Sequence, residues 1–184
     1  MGVLSTHPHH FDRGDAVLSS KLSVGIHMMT IFAMKPGESL TSEFIAGSVN
    51  TNPVVIRRLL GLLRDAGIVE SRTGVCGGWS LLLAPERITL LDILRAVEPH
   101  NQIFALHRSE PSPDCPCGLH IQGVLTEVYD KVQEGMTRQL QSINIACITG
   151  RIRDRMAGAG LVDPAHPPEK VGGESTAHGV EAGC

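Results

Sequence analysis

The stretch NTNPVVIRRLLGLLRDAGIVESRTGVCGGW, residues 50–79, decides how this chain folds. Asn52 carries the side chain of a helix N-cap, and Pro53 follows at the first helical position, where a missing N–H costs nothing. Val55, Leu59, Leu62, Leu63 and Ala66 recur at helical spacing and are expected to form the buried face, with Arg57, Arg58 and Arg64 pointing elsewhere. Gly67 fits the residue that ends such a helix. Ile68–Ser71 then reads as a short strand, Gly74-Val75-Cys76-Gly77-Gly78 as a glycine-rich turn, and Trp79–Leu83 as a second strand. Helix, strand, tight turn and strand form the ending of a winged helix-turn-helix domain. Two adjacent arginines near the helix start are where such a helix would meet base edges and phosphates; the bland alternative is a solvated face.

Upstream, residues 1–18 show no sustained period and read as a flexible leader. Its His7, His9 and His10 are a loose His-rich end or, less simply, a metal-binding cluster. A helix is expected from Ser19 or Ser20 to just before Pro36-Gly37, with Leu22, Ile26, Met29 and Ala33 as its buried face. Thr41 caps a short second helix that has Glu43 in its first turn and Phe44, Ile45 and Val49 as apolar positions. Residues 19–98 thus make a winged helix-turn-helix unit, mainly α with a small β-wing.

Downstream, Pro85-Glu86 closes the wing, and Thr89 with Asp92 forms a capping-box-like start for a helix to Val97. Residues 99–118 are a Pro-rich loop with His107, Cys115 and Cys117. A long amphipathic helix follows, from about Leu119 to Ile143. Its stripe runs through Ile121, Val124, Leu125, Val128, Val132, Met136, Leu140 and Ile143. A small winged domain lacks the surface to bury that stripe, so residues 119–156 read as a dimerisation region; the alternative is a helix folded back on its own core. Residues 157–184 are rich in Gly, Pro and Ala and read as a disordered tail.

Composition narrows the function. Hydrophobic residues make up 42% of 184, enough for a core, and aromatics only 3%, which points to an aliphatic, helical one. The net charge of −3 hides an uneven distribution: residues 19–87 carry +2 and residues 88–184 carry −4, so the basic excess lies with the candidate recognition helix. No apolar signal-peptide core is visible, and the 13-residue run Leu22–Met34 is too short to span a bilayer. A cytoplasmic protein without membrane attachment is expected. Five cysteines, an odd number, argue against a disulfide framework.

The run from Leu22 to about Ser142 resembles the Rrf-two family of bacterial transcription regulators. The resemblance is carried by NTNPVVIRRLLGLLRDAGIVESRTG, by GGWSL, and above all by ITLLDILRAVE directly after the wing. FALHRSEPSPDCPCGLHIQ looks most like the YwnA-like branch of that family. The resemblance implies a homodimeric repressor or activator on a pseudo-palindromic double-stranded operator. It places base-reading positions on Asn52, Val54, Arg57 and Arg58, beside Thr51, and wing positions on Gly74, Gly77, Gly78 and Trp79. The wing arginine of many members falls on Thr73, with Arg72 the nearest arginine, and a usual turn glycine falls on Cys76. Physical readings stand beside these: Gly77 and Gly78 as turn residues needing unusual φ, Trp79 as wing packing.

Sensing is the open question. Cluster-binding members carry three spaced cysteines before the long helix, whereas this chain offers Cys115 and Cys117 at Cys-x-Cys spacing. Cys117 and His120 match the family's ending, and Cys115, Cys117, His120 and His107 are the candidate metal set. No cofactor is expected, with an iron–sulfur cluster or zinc as the alternative. Thiol chemistry at Cys115 or Cys117, beside a helix N-terminus, is the competing sensor, with Cys76 at the wing tip as its rival and ordinary loop cysteines as the bland reading. Two other classes compete with the regulator: a thiol oxidoreductase using Cys115 and Cys117, and a winged domain used only for protein contacts. The chain lacks a thioredoxin-like βαβ pattern around the pair, a phosphate-binding loop and a Ser-His-Asp set, so it is not read as an enzyme.

Overall fold

A computed structural model describes residues 20–74, 77–99, 106 and 109–161. The leader 1–18, Cys76, His107 and the tail beyond residue 161 lie outside the described residues. The element order is α1 (Lys21–Met34), α2 (Ser42–Val49), α3 (Pro53–Asp65), β1 (Val69–Arg72), β2 (Gly78–Leu81), a 3₁₀ turn (Pro85–Arg87), α4 (Leu90–Val97), α5 (Pro116–Gln141) and α6 (Ile145–Gly158). It is a mostly helical fold with a two-stranded antiparallel wing.

Local chemistry starts each helix of the winged unit. Thr41 accepts the N–H of Phe44 to cap α2. Asn50, left-handed at φ 56°, ends α2; a short polar side chain tolerates that region better than most. Asn52 accepts the N–H of Val54 to cap α3, with Pro53 at its first position. Three residues therefore turn α2 into α3. Thr89 and Asp92 form a full capping box at α4.

The core lies between α1, α3 and α4, with Ile45 of α2 and Ile145 of α6 contributing. Its phase differs from the expected faces in two helices. In α3 the buried side chains are Ile56, Leu59, Leu60 and Leu63, whereas Val55 and Ala66 are exposed and Leu62 half-buried. In α1 they are Met28, Met29, Ile31 and Phe32, while Leu22, Ile26 and Ala33 only border the core. Both helices contain runs of consecutive apolar residues, which leave the helical phase undecided until neighbours pack.

The wing pairs Val69 with Leu81 through Arg72 with Gly78. Its inner strand is fastened to the body by reciprocal bonds between Trp79 and Leu40, both 2.9 Å. Trp79 is half-buried against the core, as wing packing requires. Gly74 does take positive φ, at 113°, but Gly77 and Gly78 do not. They are needed for closeness instead: a Cβ on Gly77 would lie 2.7 Å from the carbonyl oxygen of Arg72, and one on Gly78 3.0 Å from that of Leu40.

The C-terminal half separates into two helices. α5 ends at Gln141, and α6 turns back onto α1. The joint is held by Leu90 N–H to the Ile143 carbonyl and Ile145 N–H to the Ile88 carbonyl, each 2.9 Å. Leu140 and Ile143 pack against the core, but no residue of α5 is fully buried. Among the described residues no helix is long and apolar enough to cross a membrane.

Candidate nucleic-acid interface

The N-terminal end of α3 stands open to solvent. Asn52, Val54, Arg57 and Arg58 are exposed there and Thr51 is half-buried. Asn52 spends its side-chain oxygen on the cap, which leaves its amide N–H groups facing outward. Val54 is 63% exposed, unusual for an aliphatic side chain that its own fold could cover.

The two adjacent arginines have different surroundings. Arg57 reaches across the helix-turn-helix and donates to Glu43 of α2 at 3.1 Å. The Glu43 carboxyl is held below its usual pKa, foremost by its own backbone N–H at the start of α2, then by the Ser42 hydroxyl and Arg57. This pair is half or more exposed and therefore weak, so it orients the guanidinium without locking it. Arg58, one residue on, lines a cleft together with Lys21 of α1 and Val97 and Glu98 at the end of α4. It has no ion pair among the described residues. Sequence spacing pointed to the two arginines alike; their different surroundings depend on the packing of α2 and α4.

On the wing, Arg72 is exposed at the end of β1 and donates to Glu70 at 2.9 Å. Thr73 and Gly74 follow, also exposed. Gly77 and Gly78 complete the turn's base. The wing and the open end of α3 are thus two separate exposed, arginine-bearing features of one winged unit.

The cysteines occupy the start of α5. The helix begins one residue after Cys115, with Pro116 at its first position, so Cys117 lies inside the first turn rather than before it. Pro116 sets that boundary because its fixed φ suits the first helical residue. The N–H groups of Gly118 and Cys117 draw the Cys115 thiol below its ordinary pKa without making a formed side-chain cap. Gly118 lies so close to the Ser112 backbone that no side chain fits there. Cys115 and Cys117 are exposed, as are His120 and, on α6, Cys147. Among the described residues, no three His, Cys, Asp or Glu side chains converge. Cys115, Cys117 and His120 are three of the four candidate metal ligands, and the fourth, His107, lies outside the described residues.

The remaining feature is the outer face of α5. Val124, Val128 and Val132 are exposed at steps of four, about half or more of each surface, while Ile121, Leu125 and Met136 are half-buried along the same helix.

The mostly helical fold with its small two-stranded wing matches solved structures of named regulators. The Rrf2 family, described as iron-dependent transcriptional regulators, matches residues 18–151. The chain belongs to the Rrf2 family. The regulator named YwnA of Bacillus subtilis (strain 168) is 44% identical over 126 residues, covering 68% of this chain and 92% of that protein. A crystal structure described as a DNA-binding protein is 40% identical with a TM-score of 0.57, over 70% of this chain and 98% of that one. The structure of CymR, the global cysteine regulator of B. subtilis, is 26% identical with a TM-score of 0.55, over 73% and 96%. The chain is therefore a transcriptional regulator of helix-turn-helix type, with the mainly helical winged fold expected from its sequence.

Proposed function

We propose that this Rrf2 regulator acts as a homodimeric, sequence-specific repressor in the cytoplasm, binding a pseudo-palindromic operator through α3 and the wing. The observation that carries the reading is the open N-terminal end of α3, where Asn52, Val54, Arg57 and Arg58 are exposed together, with no element of the described residues over them. Such a helix start presents its residues to base edges in the major groove. Arg72, Thr73, Gly74, Gly77 and Gly78 of the wing then follow the adjacent backbone. Two copies joined through Ile121, Val124, Leu125, Val128, Val132 and Met136 place two such helices on half-sites about one helical turn apart. The functional units are then the leader 1–18, the winged domain 19–98, the loop 99–118, the dimerisation region 119–156 and the tail 157–184.

The test is a gel shift with DNA from upstream of the gene that encodes this chain. A shift that survives nonspecific competitor supports the reading; failure at low salt, with a folded protein, removes it. The signal that the repressor reads is proposed to be thiol-reactive. Cys115 is favoured over Cys117 and Cys76, because neighbouring N–H groups stabilise its thiolate. CymR is described as a cysteine regulator, and thiol status is a related kind of signal.

A further inference from the structure

Beside Arg58 lies a cleft that shares only Val54 and Arg58 with the DNA reading. Its walls are Val55, Leu59 and Leu62 of α3 and Val97 and Pro99 at the end of α4, and it measures about 450 Å³. Val54, Arg58, Lys21 and Glu98 also line it. Lys21 and Glu98 bind each other at 3.0 Å. Arg58 is the cation of the cleft with no ion pair among the described residues. We propose that this cleft is an effector site for a small monocarboxylic acid with an apolar body, and that its occupant takes Arg58 away from the operator.

Three properties of the cleft select that chemistry. Its volume falls in the range of sites that enclose small organic molecules, roughly 300–1,000 Å³. Its aliphatic walls gain from an apolar body and nothing from a bare ion. The guanidinium of Arg58 matches a carboxylate with two parallel N–H donors, a geometry that an ammonium cannot offer. Lys21 and Glu98 neutralise each other, so the cleft keeps one net positive charge, that of Arg58, which suits a monoanion. Exposed Val55 also becomes intelligible: an aliphatic surface beside a polyanion-binding helix does nothing for phosphate contacts, but it forms the wall of an organic-acid site.

The coupling rests on the DNA reading above, because one guanidinium cannot bind a carboxylate and a phosphate or base at once. By linkage, the acid weakens operator binding by the same factor as the operator weakens acid binding.

The full-length protein, labelled with ¹⁵N, is titrated with octanoate and in parallel with octanol. Octanoate should shift the amides of residues 54–62, 97 and 98 saturably, and octanol should bind about tenfold more weakly, the loss of a charge-assisted contact. Arg58→Gln should erase the preference for the acid, and Val55→Thr should weaken both ligands. Operator gel shifts with octanoate should show a raised apparent Kd in the wild type. No shifts at the cleft, or equal affinity for acid and alcohol, overturns the site. Binding that appears only after deletion of residues 1–18 assigns the cleft to the leader and also overturns it. Saturable octanoate binding with an unaltered operator Kd overturns the coupling. A protein that binds octanoate but no DNA leaves the site standing and removes the repressor reading instead.

Discussion

Helices α3 and α5 are both amphipathic, yet α3, with 13 residues, buries four side chains completely and α5, with 26, buries none. The apolar face of α3 is covered by α2, α4 and the first wing strand of the same chain. That of α5 touches the core only at Leu140 and leaves its valines in solvent. The difference separates two sources of stability. Covered side chains hold the fold in every copy of the chain. Uncovered ones at helical spacing gain only when something outside the chain meets them.

Matched substitutions in the two helices give the largest contrast. Leu60→Ala, at a fully buried position, should destabilise the fold by about 2–5 kcal/mol, read by denaturant unfolding. Val128→Asp, on the uncovered face, should leave the unfolding of an isolated chain nearly unchanged. It should instead convert a dimer to monomers in sedimentation and abolish operator binding, because it places a charge in an apolar seam. A wild type that sediments as a monomer at micromolar concentration would end the dimer reading, and with it this explanation of α5.

The second test compares the paired and unpaired arginines of α3. Arg57→Ala and Arg58→Ala should each weaken operator binding by about 1–3 kcal/mol where the arginine reads a base. Where one holds a phosphate, the salt dependence should flatten by about 0.9 in slope. Arg58 should show the larger loss, since Arg57 must first exchange its contact with Glu43 for DNA. Unchanged binding in the double variant, with an intact fold, would detach α3 from DNA recognition.

Much of α3 was legible because its signals are local. Asn52, Pro53 and Gly67 punctuate the helix through their own backbone chemistry, and each stands where that chemistry predicts. The phase of its buried face was not legible, because Val54-Val55-Ile56 offers three apolar candidates in succession and only packing chooses Ile56. Distance in sequence hid other features. The Glu43–Arg57 pair spans 14 positions and a turn. Gly25 shows no pattern at all, yet a Cβ there would lie 2.8 Å from Ile93, so its absence lets α1 and α4 approach. The long helix was read to about Ile143, two residues past the observed end of α5; α6 beyond it was not distinguished within residues 119–156, because the break at Ser142–Asn144 contains neither Gly nor Pro. Of the candidate site, the exposed α3 start was readable from sequence; the cleft beside Arg58 was not, because it joins the ends of three helices.

Helix starts sharpen the comparison at a smaller scale. In α4 the Thr89 hydroxyl accepts the Asp92 N–H at 3.1 Å and the Asp92 carboxylate accepts the Thr89 N–H at 2.9 Å. Thr89→Ala should lower stability by about 1 kcal/mol, measured by thermal or urea unfolding. α5 starts at Cys115 with no formed side-chain cap, so Cys115→Ala should fall well below that figure. Equal losses at the two sites would mean that the start of α5 is as firmly built as that of α4.

The smallest expected effect concerns that same start of α5. The Cys115 pKa is lowered in the folded chain, first by the Gly118 N–H and then by the Cys117 N–H. A depressed folded pKa stabilises the native chain above the unfolded thiol pKa, and that contribution is lost as pH falls through the folded value. The group is fully exposed, so solvent screens the contribution and the stability change across that window should be slight. Reactivity reports the shift more sharply, because the thiolate is the nucleophile. In a variant whose other four cysteines are serine, the iodoacetamide rate should rise with pH at a lower midpoint in the native protein than in urea. Replacing Gly118 would be a poor control, since any side chain there collides with Ser112. Urea is the better reference because it removes the helix without changing the residue. Coincident midpoints would show that the N–H groups do not reach the sulfur. The start of α5 would then offer no chemical preference for Cys115, and the sensor would have to be sought at Cys117 or Cys76.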